Sequence, residues 1–191
     1  MTRRERRPSA PLHNAHAAGQ DNTLTVPYAP HLHLPLRASL DECLAAFSGA
    51  ACILSNSAGL FQYDPDGREA EALEATLGLH VLRHGAKKPG GTADALERHF
   101  GCAAHELVMV GDRYLTDVLF GNRLGMLTAR PEPLLPAKDG LVVRGARRVE
   151  DALVRRWVRG GSGPPPHSLL PAGEEAQRRA CAGFMRSGSP A

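Results

Sequence analysis

From residue 36 to residue 129, short apolar runs take turns with amphipathic segments, and the runs break on glycines or polar clusters. Leu36, Leu40, Cys43, Leu44 and Phe47 recur at helical spacing and put one apolar stripe against a core. Residues 51–54 (ACIL) read as a short buried strand that ends on Ser55, Asn56, Ser57, Ala58 and Gly59. Residues 68–77 read as a helix stopped by Gly78, 80–83 as a strand, and 85–91 as a loop. Thr92 is placed to cap a helix running to Phe100, with Gly101 as its stop. Residues 107–110 (LVMV) form the clearest strand. Gly111 and Asp112 break it, a helix over 114–124 follows, and 126–129 reads as another strand. Residues 141–143 are expected as a last strand, and 149–158 as a closing helix with Val149, Leu153 and Trp157 on its core face. Strands alternating with helices of this length predict an α/β fold with a parallel sheet, in which ligands bind at the carboxyl ends of the strands.

Composition agrees with a folded body between two basic tails. Hydrophobic residues make up 42% of the 191 and charged residues 23%, which excludes a wholly disordered chain. The longest apolar runs fall far short of the ~20 residues that cross a bilayer as a helix. Residues 1–20 hold four Arg and one Glu, and 155–191 hold six Arg and two Glu, so 21–154 carry 13 basic against 17 acidic residues. The basic excess therefore belongs to the tails rather than to a folded face, which argues against a nucleic-acid partner. Residues 1–20 are Arg-rich without an apolar core segment, which argues against secretion; residues 159–191 are rich in Gly, Pro and Arg and are expected to be disordered. Cys43, Cys52, Cys102 and Cys181 form no close pair, so they are read as apolar fillers rather than a disulfide or zinc framework.

The polar clusters at the strand ends carry the chemistry. In chain order they are Asp21-Asn22-Thr23, Ser55-Asn56, Lys87-Lys88-Pro89, and Gly111-Asp112 with Asp117. Any one of them alone is a turn, a cap or a solvent-facing charge. Together they supply carboxylates suited to Mg²⁺, an ammonium to offset phosphoryl charge, and a hydroxyl and amide to grip phosphoryl oxygens.

Five stretches, DNTLTVPY (21–28), LHLPLRASLDECLAAF (32–47), ILSNSAG (53–59), VLRHGAKKPG (81–90) and VMVGDRYLTDVLFGNRLGM (108–126), resemble the haloacid dehalogenase superfamily of aspartate-nucleophile phosphatases. The nearest resemblance is to its branch of mitochondrial and plastid phosphatidylglycerophosphate phosphatases. That resemblance implies a Rossmann-like doubly wound parallel sheet without a substantial cap domain over 21–158. It implies Mg²⁺-dependent hydrolysis of phosphatidylglycerophosphate to phosphatidylglycerol through an aspartyl-phosphate. Asp21 would be the general acid and base and would lend its carbonyl to the metal. Ser55 and Asn56 would bind phosphate, Lys88 would neutralise the phosphoryl group, and Asp112 and Asp117 would complete the metal site. The partner would be a phospholipid monophosphate met at a membrane surface in a mitochondrion or plastid, peripherally at the inner membrane.

One position departs from the family pattern. Asp-x-Asp-x-Thr aligns Asp21 and Thr23 with its third and fifth places, which puts Gly19 where the nucleophilic aspartate belongs. The preceding residues, PLHNAHAA, carry no apolar run, so the strand expected there is read as missing. Three accounts stand at this stage: residues 1–20 replace the family's own beginning, the protein is a non-catalytic phosphate- or phospholipid-binding member, or Asp21 is itself the nucleophile. A phosphatase for a soluble phosphate monoester is the further alternative.

Overall fold

The computed structural model describes residues 15–47 and 49–170. The expectations for 1–14, for 171–191 and for Cys181 lie outside the described residues. Five strands form one parallel sheet: β1 (Ala15–Ala18), β2 (Ala51–Ile53), β3 (His80–Val81), β4 (Leu107–Val110) and β5 (Leu127–Ala129), in the order β3-β2-β1-β4-β5. The α/β fold with a parallel sheet is the one expected from the alternation.

The strand preceding Asp21 is present, contrary to expectation, and it is the central one. Ala15 pairs with Leu107 and Ala18 with both Ile53 and Val110. Hydropathy misses it because alanine is a weak hydrophobe. Its burial comes from position, since strands on both sides satisfy its backbone, and Ala15 and Ala17 are almost fully buried. Small side chains at the middle of the sheet also let the flanking helices pack close.

Helices cover both faces. α1 (Arg37–Ala46) and α2 (Arg68–Leu77) bring Leu36, Leu40, Leu44, Leu73 and Leu77 against Ile53 and Val81. On the other face, α3 (Asp94–Phe100) and α4 (Leu119–Arg123) bring Leu96 and Phe120 against Ala17, Cys52 and Met109. Cys43, Cys52 and Cys102 are free thiols; burial pushes that of Cys52 up to about 12, although the positive charge of Lys88 opposes the shift. Thr92 does not cap α3: its hydroxyl donates to the Asp94 carboxylate at 2.9 Å.

Residues 141–143 are not a strand. They open a 19-residue helix, α5 (Leu141–Arg159), which Gly140 precedes and Arg144 N–H→Gly140 O begins. The triplet takes helical backbone, and Leu141 and Val142 face solvent. Of the three residues expected on a core face, Val149 and Trp157 are exposed and Leu153 is half-buried. The residue that α5 buries is Glu150, and polar anchors hold the helix to the body. None of the helices among the described residues is long and apolar enough to cross a membrane.

Candidate active site

The sheet order reverses direction between β1 and β4, and the loops at their carboxyl ends meet there. Gly19, Gln20 and Asp21 leave β1, Ser55 and Asn56 lie beyond β2, and Lys88 follows β3 on a loop whose Lys88–Pro89 peptide is cis. Gly111 and Asp112 leave β4. Asp117 sits on one π-helical turn (Tyr114–Val118), in which Val118 N–H reaches back to Arg113 O. The structure thus brings Asp21, Ser55, Asn56, Lys88, Asp112 and Asp117 to one end of the sheet. Residues 19–33 and 54–67 are loops, and among the described residues no cap domain covers that end.

Lys88 is almost wholly buried, and its ammonium donates to Asp117 Oδ1 at 2.6 Å and to Leu54 O at 2.5 Å. Its backbone is gripped by Asn56, which accepts from Lys88 N–H at 2.7 Å and donates to Lys88 O at 3.2 Å. The Asn56 amide is thereby committed to positioning Lys88. Asp117 also accepts from Arg113 N–H and from the Thr116 hydroxyl. The Ser55 hydroxyl donates to Gln20 Oε1 at 3.1 Å and lies 3.0 Å from the Ser57 hydroxyl. Asp21 is exposed at the mouth, where it accepts from Tyr28 N–H at 3.3 Å. Desolvation raises its carboxyl above the usual value near 3.8, and Asp112 and Asp139 add to the shift against the Tyr28 bond.

Asp112 is buried and accepts from Thr23 Oγ1 at 3.3 Å and from the Arg147 guanidinium. Its carboxyl is also raised, because desolvation outweighs Arg147. Arg147, on α5, makes a second ion pair at 2.6 Å with Asp139, and Asp139 in turn accepts from Asn22 Nδ2 at 2.8 Å. Asn22 is fully buried in a left-handed conformation (φ 56°), and its Oδ1 accepts from Leu135 N–H at 2.8 Å. Asn22, Asp139 and Arg147 are absent from the sequence reading. They lie up to 125 residues apart, and no local pattern announces them.

At Gly19 the backbone leaves room. An ideal Cβ built there would stand 3.4 Å from Thr23 Oγ1 and 3.6 Å from Asp117 Oδ1, ordinary contacts that point it into the cluster. Glycine carries no carboxylate, so position 19 brings no acidic side chain to the cluster.

The Mg²⁺ implied by the family resemblance does not fit these residues as they stand. Among the described residues no group of three or more His, Cys, Asp or Glu is arranged to hold a metal ion. Asp112 is taken by Arg147, Asp117 by Lys88, and Asp21 faces Tyr28 N–H. Mg²⁺ wants near-octahedral oxygen ligation, and the carboxylate oxygens of Asp112 and Asp117 are already committed to cations and neighbouring donors.

The model for the mitochondrial PGP phosphatase family matches residues 15–134, from the first strand through the loop beyond β5. The chain belongs to that family. It is 55% identical over 152 residues to the chloroplastic phosphatidylglycerophosphate phosphatase 1 of Chlamydomonas reinhardtii, covering 80% of this chain and 56% of that one. It is 52% identical over 151 residues to the chloroplastic/mitochondrial phosphatidylglycerophosphate phosphatase 1 of Arabidopsis thaliana, covering 79% and 43%. To the mitochondrial phosphatidylglycerophosphatase of Saccharomyces cerevisiae it is 31% identical over 123 residues, covering 60% and 66%. The chain spans about half the length of the algal and plant relatives. The PGP phosphatase match takes in all five strands and every predicted site residue, whereas α5 lies beyond it.

Proposed function

We propose that the chain carries the phosphate-monoester site of a phosphatidylglycerophosphate phosphatase, the reaction being hydrolysis of phosphatidylglycerophosphate to phosphatidylglycerol. With Gly19 in the nucleophile's place, it holds the headgroup without forming an aspartyl-phosphate. The observation that supports this is the meeting of Ser55, Lys88, Asp112 and Asp117 around Gly19 at the carboxyl end of the sheet, where the vacant Cβ direction points between Thr23 and Asp117.

In this reading the Ser55 hydroxyl and neighbouring backbone N–H groups take phosphoryl oxygens. Lys88, held by Asn56 and Asp117, supplies fixed positive charge in a site of low dielectric. With an aspartate supplied at position 19, Asp21, exposed beside the opening and with a raised carboxyl, would suit proton donation to the leaving glycerol oxygen and proton removal from an incoming water. A cavity of about 370 Å³, lined by Leu54, Leu82 and Phe120 together with the charged Arg83, Lys88 and Asp94, adjoins the site. The chain would work peripherally on a mitochondrial or plastid membrane. Exposed Arg144, Arg148, Arg155 and Arg156 on α5, together with Leu141 and Val142, suit an anionic lipid surface, at about 1 kcal/mol per basic residue near it.

Phosphate release from phosphatidylglycerophosphate in mixed vesicles, with and without Mg²⁺, tests the reading. Gly19→Asp is expected to raise turnover at least a hundredfold over the unaltered chain, and Asp21→Ala in that background to remove it. Equal turnover of glycerol 3-phosphate and of the lipid would favour the soluble-substrate reading. No gain with Gly19→Asp, in a chain that sediments with phosphatidylglycerophosphate vesicles, would leave the non-catalytic binding reading in its place.

A further inference from the structure

We infer that Arg147 is the resident cation of this site, and that its guanidinium keeps divalent metal off Asp112. The geometry leaves the carboxylate little choice. Asp112 is almost fully buried, one of its oxygens accepts from Thr23, and the other is bonded to Arg147 Nη2. Arg147 is locked from its far side by the Nε–Asp139 pair at 2.6 Å, and Asp139 is held by the fully buried Asn22. Both ionic contacts are charge-assisted and tie a planar fork to two carboxylates, a geometry that Arg makes and a lone ammonium does not. A metal ion on Asp112 would have to expel this guanidinium or sit beside a second positive charge at contact distance in a water-poor site.

The charge count agrees. Lys88 and Asp117 cancel one another. The carboxylates of Asp112 and Asp139 both pair with the single guanidinium of Arg147. With Gly19 adding no carboxylate, Asp21 is the site acid left without a cationic partner, and one exposed carboxylate is a weak site for Mg²⁺. The cation arrives on α5, which lies outside the family-matched residues 15–134. A helix beyond the matched stretch thus brings to Asp112 the positive charge that a metal would otherwise bring.

The inference rests on placing Asp112 within the phosphate-monoester site. Its readout is metal occupancy, so it stands or falls apart from any turnover. Mn²⁺, a spin-active stand-in for Mg²⁺, would be titrated into the whole protein and followed by electron paramagnetic resonance, with melting temperature as a second signal. The unaltered chain is expected to take up no stoichiometric Mn²⁺ at micromolar concentration. Arg147→Met is expected to bind one Mn²⁺ at least tenfold more tightly than the unaltered chain, and Asp112→Asn in the same background to abolish the gain. Asp139→Asn, which loosens Arg147 without removing it, is expected to give a smaller gain in the same direction. Micromolar binding of one Mn²⁺ by the unaltered chain, lost in Asp112→Asn, would overturn the inference, as would affinities within threefold for the unaltered chain and Arg147→Met. Should Arg147→Met not fold, the unaltered chain and Asp139→Asn decide it by the same two signals.

Discussion

Lys88 Nζ lies 2.6 Å from Asp117 Oδ1, with both side chains almost wholly removed from water. The pair joins the loop after β3 to the turn after β4, so it is a tie across the sheet end as well as a site element. Removing one member would leave the other charged and uncompensated in the interior. Lys88→Met is expected to cost about 3–5 kcal/mol, and Lys88→Met with Asp117→Leu markedly less, since an apolar pair restores balance. Urea unfolding of the three proteins reads this directly. A loss under 1 kcal/mol in Lys88→Met would mean that the pair does not carry this stability.

Two glycines at the same end of the sheet should answer oppositely to alanine. At Gly111 a Cβ would fall 2.3 Å from Asp117 Cγ, closer than any real contact, so Asp117 would have to leave Lys88. Gly111→Ala is expected to destabilise by about 1–3 kcal/mol or more, the range for forced overpacking. Gly19 has no positive φ and an open Cβ direction, so Gly19→Ala should stabilise by about 0.4–1 kcal/mol through the unfolded chain. Equal effects at the two positions, measured by chemical denaturation, would refute the packing at Gly111.

Asp64 explains why α2 starts where it does. Its buried carboxylate accepts from Gly59 N–H at 2.9 Å, Glu69 N–H at 3.1 Å and Ala70 N–H at 2.9 Å, capping the helix from outside its first turn. Desolvation opposes ionisation there, but these N–H donors and the Arg83 charge outweigh it and hold the carboxyl below the usual value near 3.8. A depressed folded value means that the ionised carboxylate contributes stability above pH 3.8 and loses it as pH falls through the lower folded value. Asp64→Ala is therefore expected to cost about 1–2 kcal/mol at neutral pH, the range for a lost cap. The gap in melting temperature should narrow as the pH drops below 3.8. A gap that stays constant to pH 2 would contradict the assignment.

How far these relationships could be read in advance depends on how local their causes are. Residues 107–110 and 51–54 announce themselves because branched and long apolar side chains bury on both faces of a parallel strand. Ala15–Ala18 does not, because its burial is set by the strands beside it and not by its own hydropathy. Residues 141–143 look like a strand by composition, yet the backbone enters a helix whose hold on the body is polar, through Arg147 and Glu150. Ser55, Lys88 and Asp112 are visible because each follows an apolar run that reads as a strand, and Asp21 and Asp117 because each stands in a recognisable motif. Arg147 and Asp139 were not, because they reach Asp112 and Asn22 across 35 and 117 residues of chain.

The way α5 is attached gives the last expectation. Glu150 is buried and forked onto Arg113, whose Nε lies 3.0 and 3.1 Å from its two oxygens, while Trp157 on the same helix stands half in solvent. If the helix were held by an apolar face, Trp157→Ala would be the damaging change. Polar anchoring predicts the reverse. Glu150→Ala strands the Arg113 guanidinium without its partner and is expected to cost about 3–5 kcal/mol. Trp157→Ala should stay within about 1 kcal/mol, as for a partly exposed surface position. Hydrogen exchange separates local from global loss. In Glu150→Ala the amides of 141–159 should lose protection first, with those of β4 following only at global unfolding. Loss of protection in α5 on Trp157→Ala, with none on Glu150→Ala, would show that the helix is held by its apolar residues after all.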